Sequence, residues 1–164
     1  MKRADLETRV VDDHHQALKL WLRLLSCTNL VEAEVRARLR AEFDTTLPRF
    51  DLMAQLERHA GGLKMNELSR RLMVTGGNVT GLTDELEREG VVSRSPSPDD
   101  RRAWIVSLTP KGRRSFEAMA SEHEQWVLEL FSGLDMKTVR QLYAQLGQLR
   151  VHVMRSEPPP EEAP

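Results

Sequence analysis

Between residues 13 and 41 the apolar positions Leu18, Leu22, Leu25, Val31, Val35 and Leu39 recur at helical spacing, and Trp21 and Leu24 widen the stripe. The pattern predicts one long helix. Its length exceeds the usual helix of a small domain, and a stripe that wide predicts cover from more than one side, as in a dimer. Thr46-Leu47-Pro48 reads as the next helix start, because proline's missing N–H costs nothing in a first turn. Phe50, Leu52, Met53 and Leu56 form that helix's apolar face, and Gly61-Gly62 is its expected stop. A short helix follows over 64–72, with Met65, Leu68 and Leu72 inward. Residues 73–76 are a tight connection, and a second helix runs over 77–89 with Val79, Leu82 and Leu86 inward, closed by Gly90. Two short helices joined by such a turn are a helix-turn-helix pattern.

The period then changes. Val91 to Arg94 reads as a strand, residues 95–100 are dense in turn formers, and Ala103 to Leu108 alternates with aromatic and β-branched residues. This is a β-hairpin wing. Thr109-Pro110 supplies an N-cap and a first-turn proline. The helix after it carries Phe116, Met119, His123, Trp126, Val127 and Leu130. A break at 132–135 leads to a last helix carrying Val139, Leu142, Tyr143, Leu146, Leu149 and Val153. The expected organisation is an N-terminal dimerisation helix over 1–45, a winged helix-turn-helix over 46–112, C-terminal dimerisation helices over 113–154, and a disordered Pro- and Glu-rich tail over 155–164.

Composition narrows the function. With 164 residues, 40% hydrophobic and 30% charged, the chain has material for one core and a solvated surface. The formal net charge of −1 exerts no global pull on nucleic acid. Its distribution is uneven: residues 62–113 carry nine Lys/Arg against seven acids, whereas 114–164 carry five against eight. The basic excess therefore lies on the helix-turn-helix and wing, where phosphates would be neutralised. One cysteine, Cys27, excludes an internal disulfide framework. His14-His15, His59, His123 and His152 show no metal-ligand spacing, so neither a metal nor a cofactor is expected. The absence of an apolar run of membrane-spanning length or a secretory h-region leads to an expected cytoplasmic location. No nucleophile elbow, phosphate loop or dinucleotide fingerprint points to an enzyme, and no catalytic residue is assigned.

The outward face of the 77–89 helix reads Gly76, Gly77, Asn78, Thr80, Gly81, Thr83, Asp84. A merely solvated helix would favour Ala, Glu and Lys. Glycines let a helix approach another surface, and Asn and Thr reach base edges. At the wing tip stand Asp99, Asp100, Arg101 and Arg102, where an arginine can enter a minor groove while an aspartate pairs with its guanidinium. The candidate DNA-binding set is Thr75, Gly76, Gly77, Asn78, Thr80, Gly81, Thr83, Arg88, Arg94, Ser97, Asp100, Arg101 and Arg102.

The run Met65-Asn-Glu-Leu-Ser-Arg-Arg-Leu72, then Thr75 to Gly90, then Asp100-x-Arg102 leading to Leu108-Thr109-Pro110-Lys111-Gly112, resembles the MarR family. The resemblance spans residues 13–154. It implies a mostly α, six-helix winged-helix protomer with a small β-wing and a helical dimerisation region intertwined with a second copy. It also implies a pseudo-palindromic double-stranded DNA partner, with the 77–89 helix in the major groove and Arg102 in the minor groove, oriented by Asp100. Many members are released from DNA by a small anionic aromatic ligand. The stretch from Thr46 through Glu89 looks most like regulators of aromatic-acid and phenylpropanoid degradation, some of which sense acyl-CoA thioesters.

A matching effector site is sought in the basic run Arg36, Arg38, Arg40 and Arg49, which suits carboxylate or phosphate, beside apolar Trp21, Phe43, Phe50 and Met53. The bland readings are a solvated face and core packing. Two other functions stay open. One is a constitutive architectural DNA binder with no effector. The other is a thiol redox sensor through Cys27, although Cys27 lies mid-helix and Tyr143 is the only tyrosine, unlike the peroxide-sensing members.

Overall fold

The computed structural model describes residues 3–72, 76–100 and 102–156, which form six helices and three short strands. No Gly or Pro interrupts the chain before Pro48, and α1 (Arg3–Phe43) runs for 41 residues, beginning well before the expected start. Asp44 ends it in the left-handed region at φ +48, a conformation a short polar side chain tolerates. Thr46 is extended at the start of α2 (Leu47–Glu57), with Pro48 in the first turn and Phe50, Leu52, Met53 and Leu56 buried. This helix ends at Glu57 rather than at the Gly61-Gly62 pair. Bonds from His59 N to Leu56 O and from Gly62 N to His59 O turn the chain first.

Gly62 has a different task. Its φ is +79, and a Cβ there would lie 2.5 Å from both Ile105 Cγ2 and the Val106 carbonyl. Only glycine lets the chain pass this close, and the next two residues form β1 (Leu63–Lys64), which pairs antiparallel with β3 (Trp104–Leu108). The sequence pattern did not predict β1, since two residues are too few to show a period of two. α3 (Met65–Leu72) buries Leu68, and α4 (Gly76–Arg88) buries Val79 and Leu86. The connection over 73–75 lies outside the described residues.

The wing is β2 (Val92–Pro96) against β3 (Trp104–Leu108), in register from Val92↔Leu108 to Pro96↔Trp104. The sheet order is β1-β3-β2. β2 therefore runs two residues beyond its expected end, which an edge position permits even for proline. Leu39, Leu52, Leu56, Leu68, Val79, Leu86, Val92 and Val106 make a core drawn from α1 to α4 and the sheet.

By backbone contacts the chain divides into two units, residues 1–125 and 126–164, and α5 (Pro110–Phe131) spans the division. In the first unit Phe50 stacks between Phe116 and His123 of α5, with ring centroids 5.4 and 4.9 Å away. In the second unit Asp135 caps α6 (Met136–Ser156) by accepting from Thr138 N at 2.7 Å. That bond holds the Asp135 carboxyl below the usual carboxylate range. Arg155 and Ser156 belong to α6, so the helix enters the expected tail, whose residues 157–164 lie outside the described ones.

Candidate nucleic-acid interface

α4 presents two faces. Val79, Thr83 and Leu86 are buried, whereas Asn78, Thr80, Gly81, Asp84, Glu85 and Arg88 are exposed. The acids are confined to the C-terminal half of the outer face, leaving the Asn78–Gly81 end uncharged. Gly81 has open space where a Cβ would sit, with no atom within 4 Å. A mid-helix glycine costs about 1 kcal/mol against alanine, and nothing among the described residues requires one here. An outside surface that must come close would require it.

Thr83, expected among the DNA contacts, is a correction. It is fully buried, and its hydroxyl donates to the Val79 carbonyl at 2.7 Å. It stands four residues after Val79 and three before Leu86, on the apolar stripe, so helical spacing already pointed inward and polarity misled. Ser97 is a second correction. It is 3% exposed, which takes its side chain out of reach of DNA.

Arg94 also changes role. Its guanidinium pairs with Asp84 and, at 3.3 Å, with Glu87, while its backbone N donates to the other Glu87 oxygen at 3.2 Å. Two carboxylates from α4 thus hold a wing arginine, and Arg94 ties the wing to the helix.

The far end of α4 is fastened by the segment after β3. Thr109 caps α5 by accepting from Gly112 N at 3.0 Å, and its hydroxyl lies 2.7 Å from the Gly90 carbonyl, to which it donates. Thr109 N donates to the Val91 carbonyl at 3.0 Å. Lys111 Nζ reaches the Glu89 carbonyl at 2.6 Å, where a cation suits a helix C-terminus. A Cβ on Gly112 would stand 2.0 Å from the Val91 carbonyl oxygen, so only glycine fits. The sequence Thr-Pro-Lys-Gly is a joint that sets where α4 and the wing leave the core.

At the wing tip Asp100 accepts from the backbone N–H of Arg102 at 2.9 Å, and its carbonyl accepts from Ala103 N at 2.9 Å. Ser97 N closes the loop onto the Ala103 carbonyl at 2.9 Å. The aspartate therefore shapes the turn that projects Arg102 by holding its backbone, in place of the expected pairing with its guanidinium. Arg102 is exposed. Thr75 and Arg101 lie outside the described residues, and Gly76 and Gly77 open α4.

A model of the MarR family matches residues 45–104, from α2 to the start of β3. The transcriptional activatory protein BadR of Rhodopseudomonas palustris is 35% identical over 106 residues, which cover 63% of this chain and 60% of BadR, less than two thirds of that relative's length. The crystal structure of a MarR family transcriptional regulator from Silicibacter pomeroyi superposes with a TM-score of 0.75 at 30% identity, covering 87% of this chain and 98% of that one. The chain belongs to the MarR family. It is a DNA-binding transcription regulator, not an enzyme. The MarR fold is shared with apo MarR of E. coli, at a TM-score of 0.71 and 24% identity over 79% of this chain and 96% of that one.

The residues sought as a MarR-type effector site do not come together. Phe50 and Met53 are core, 5% and 2% exposed, and Phe43 is half-buried. Trp21 is exposed and lies 22 residues before Phe43 on the same helix, about 33 Å away at 1.5 Å per residue. Arg36 and Arg38, two positions apart, leave the helix on different sides, and Arg40 is exposed. Arg36 pairs with Glu32, Arg38 with Glu34 at 2.8 Å, and Arg49 with Glu89. Adjacency in sequence suggested one basic cluster, but helical geometry separates it, acids one turn away occupy Arg36 and Arg38, and Glu89 occupies Arg49.

What the first unit does offer is a cavity of about 280 Å³ lined by Glu32, Arg36, Leu47, Pro48, Asp51, Leu72 and Leu82. Partial desolvation raises the Asp51 carboxyl above its usual range. His123 opposes the rise, Glu32 adds to it and Arg36 opposes it. Cys27 is exposed on α1. No described helix is long and apolar enough to cross a membrane.

Proposed function

We propose that the chain is a homodimeric repressor that binds a pseudo-palindromic operator, with α4 in the major groove and Arg102 in the adjacent minor groove, and that it works in the cytoplasm, with the DNA. The observation that carries the reading is the outer face of α4. It presents Asn78, Thr80 and a Gly81 with no internal reason to be glycine, at a fixed angle to a wing that ends in an exposed arginine. Residues 46–112 are the DNA-binding part. Residues 1–45 and 113–154 are the dimerisation parts, supported by exposed apolar rows at Leu18, Leu22 and Leu25 and at Leu142, Leu146 and Leu149. Footprinting on a duplex selected by the protein from a random pool tests this. Two half-sites about one helical turn apart are expected, and a single asymmetric half-site contradicts the dimeric reading.

The regulatory part of the proposal is release by a small aromatic acid or its acyl-CoA thioester. The resemblance of Thr46–Glu89 to regulators of aromatic catabolism supports the ligand class. The cavity beside Arg36 supports the place, since it touches α1, α2, α3 and α4 together. An incoming carboxylate would take Arg36 from Glu32. The cavity is at the small end of ligand pockets, so a CoA nucleotide would lie outside it. Titrating hydroxycinnamic acids, benzoic acids and their thioesters against duplex-bound protein, read by anisotropy, is expected to release DNA, and Arg36→Gln should raise the concentration required. No release at millimolar concentration contradicts this part and returns the constitutive reading. An activator is the second reading of the output, favoured by the name of the 35% identical relative. Transcription from a promoter carrying the selected duplex, with and without the protein, separates the two.

A further inference from the structure

We propose that Trp104 contacts DNA, laying its indole against the sugar–phosphate strand that runs between the groove read by α4 and the groove entered by the wing tip. The proposal rests on the reading of α4 and Arg102 given above.

β3 alternates. Val106 and Leu108 point into the core, 0% and 8% exposed, and Trp104 shares their face by parity. Yet Trp104 is 50% exposed, because that face runs past the core toward the wing tip. Its cross-strand neighbour is Pro96. The ring lines a groove of about 560 Å³ together with Met65, Thr80, Glu87 and Arg94. The groove is thus walled by the start of α3, the outer face of α4 and both strands of the wing.

Adjacent major and minor grooves of a duplex are separated by a single backbone strand. If α4 occupies one and Arg102 the other, that strand must cross the gap between helix and wing, which is this groove. The chemistry of the wall fits a deoxyribose better than a phosphate. Among the described residues lining the groove the one cation, Arg94, is already held by Asp84 and Glu87. Met65 and Trp104 supply flat apolar surface for sugar C–H groups, and the indole N–H can donate to a flanking phosphate oxygen. Such a contact adds affinity without exchanging an ion and without reading a base.

The test measures affinity for the selected duplex and for an unrelated one across a salt series, for the wild type and for Trp104→Phe, Trp104→Ala and Trp104→Thr. Threonine keeps the strand preference, so it carries the test if alanine loosens the wing. Trp104→Thr should lose about tenfold in affinity for both duplexes, the equivalent of roughly 50 Å² of apolar surface no longer covered. The slope of log affinity on log salt should be unchanged, and Trp104→Phe should keep most of the affinity. In acrylamide quenching, duplex should shield a fluorophore in the wild type that Trp104→Phe lacks. Wild-type affinity in Trp104→Thr overturns the proposal. So does a loss accompanied by a flatter slope, which would mean that the wing had moved and taken Arg102 with it. A wild-type protein that binds neither duplex overturns the reading of the site beneath the proposal as well.

Discussion

Along α1, Leu18, Leu22 and Leu25 are exposed, whereas Val35 and Leu39, on the same helix and at the same helical spacing, are 4% and 0% exposed. The two halves carry the same kind of stripe. They differ in what lies opposite: Val35 and Leu39 meet the apolar side of α2, and Leu18, Leu22 and Leu25 stand uncovered. A hydrophobic period thus specifies a face that must be covered, not what covers it. The same contrast divides two glycines. Gly112 is demanded by a carbonyl 2.0 Å from its missing Cβ, while Gly81 has no neighbour within 4 Å. One set of positions is explained inside the chain, and the proposed second copy and duplex are what would account for the other.

The largest effects should come from the inner set. Leu39→Ala removes a fully buried side chain and should cost about 2–5 kcal/mol, with a melting temperature that falls equally at every protein concentration. Leu22→Asp should leave the protomer folded but dissociate the dimer. Light scattering at micromolar concentration should then give the 18.8 kDa mass of one chain, against twice that for the wild type. A wild type already at the single-chain mass would erase the distinction between the two halves of α1.

Gly81→Ala should separate stability from function. Alanine should stabilise the exposed helix by roughly 1 kcal/mol while weakening duplex affinity. A stabilised variant that binds as well as the wild type would leave Gly81 unexplained. The smallest effect belongs to Asp51, which faces the later half of α1 through Glu32 and Arg36. Its folded-state pKa is raised above 3.8, so the native state binds more protons and stability falls as pH rises between the unfolded and folded values. Asp51→Asn should gain on the wild type across that interval and hold the gain at neutral pH. Urea unfolding at several pH values measures it, and a difference independent of pH contradicts the assignment.

The element order was legible because the periods are long and the punctuation is strong: Thr46 to Pro48, Gly90, and Thr109-Pro110 all stand where helices begin or end. The outer face of α4 was legible for the same reason, except at Thr83, where a hydroxyl satisfied by Val79 O rides on a buried stripe. β1 was not legible, since two residues show no alternation. Nor was the capture of Arg94 by Asp84 and Glu87, because pairs 10 and 7 residues apart across a turn are set by tertiary geometry. The effector set is spread along the chain for a plain reason. Residues close in sequence on a helix diverge around its axis, and Trp21 is more than six turns from Phe43 at 3.6 residues per turn.

The central claim is that α4 and the wing grip a duplex together. Affinity of wild type and Arg102→Ala for the selected duplex, measured from low to high salt, tests it most directly. If Arg102 neutralises a phosphate while entering the minor groove, the variant should bind more weakly and its salt slope should fall by about one, with the dimer mass unchanged. An Arg102→Ala protein with wild-type affinity and slope at every salt concentration would contradict the account.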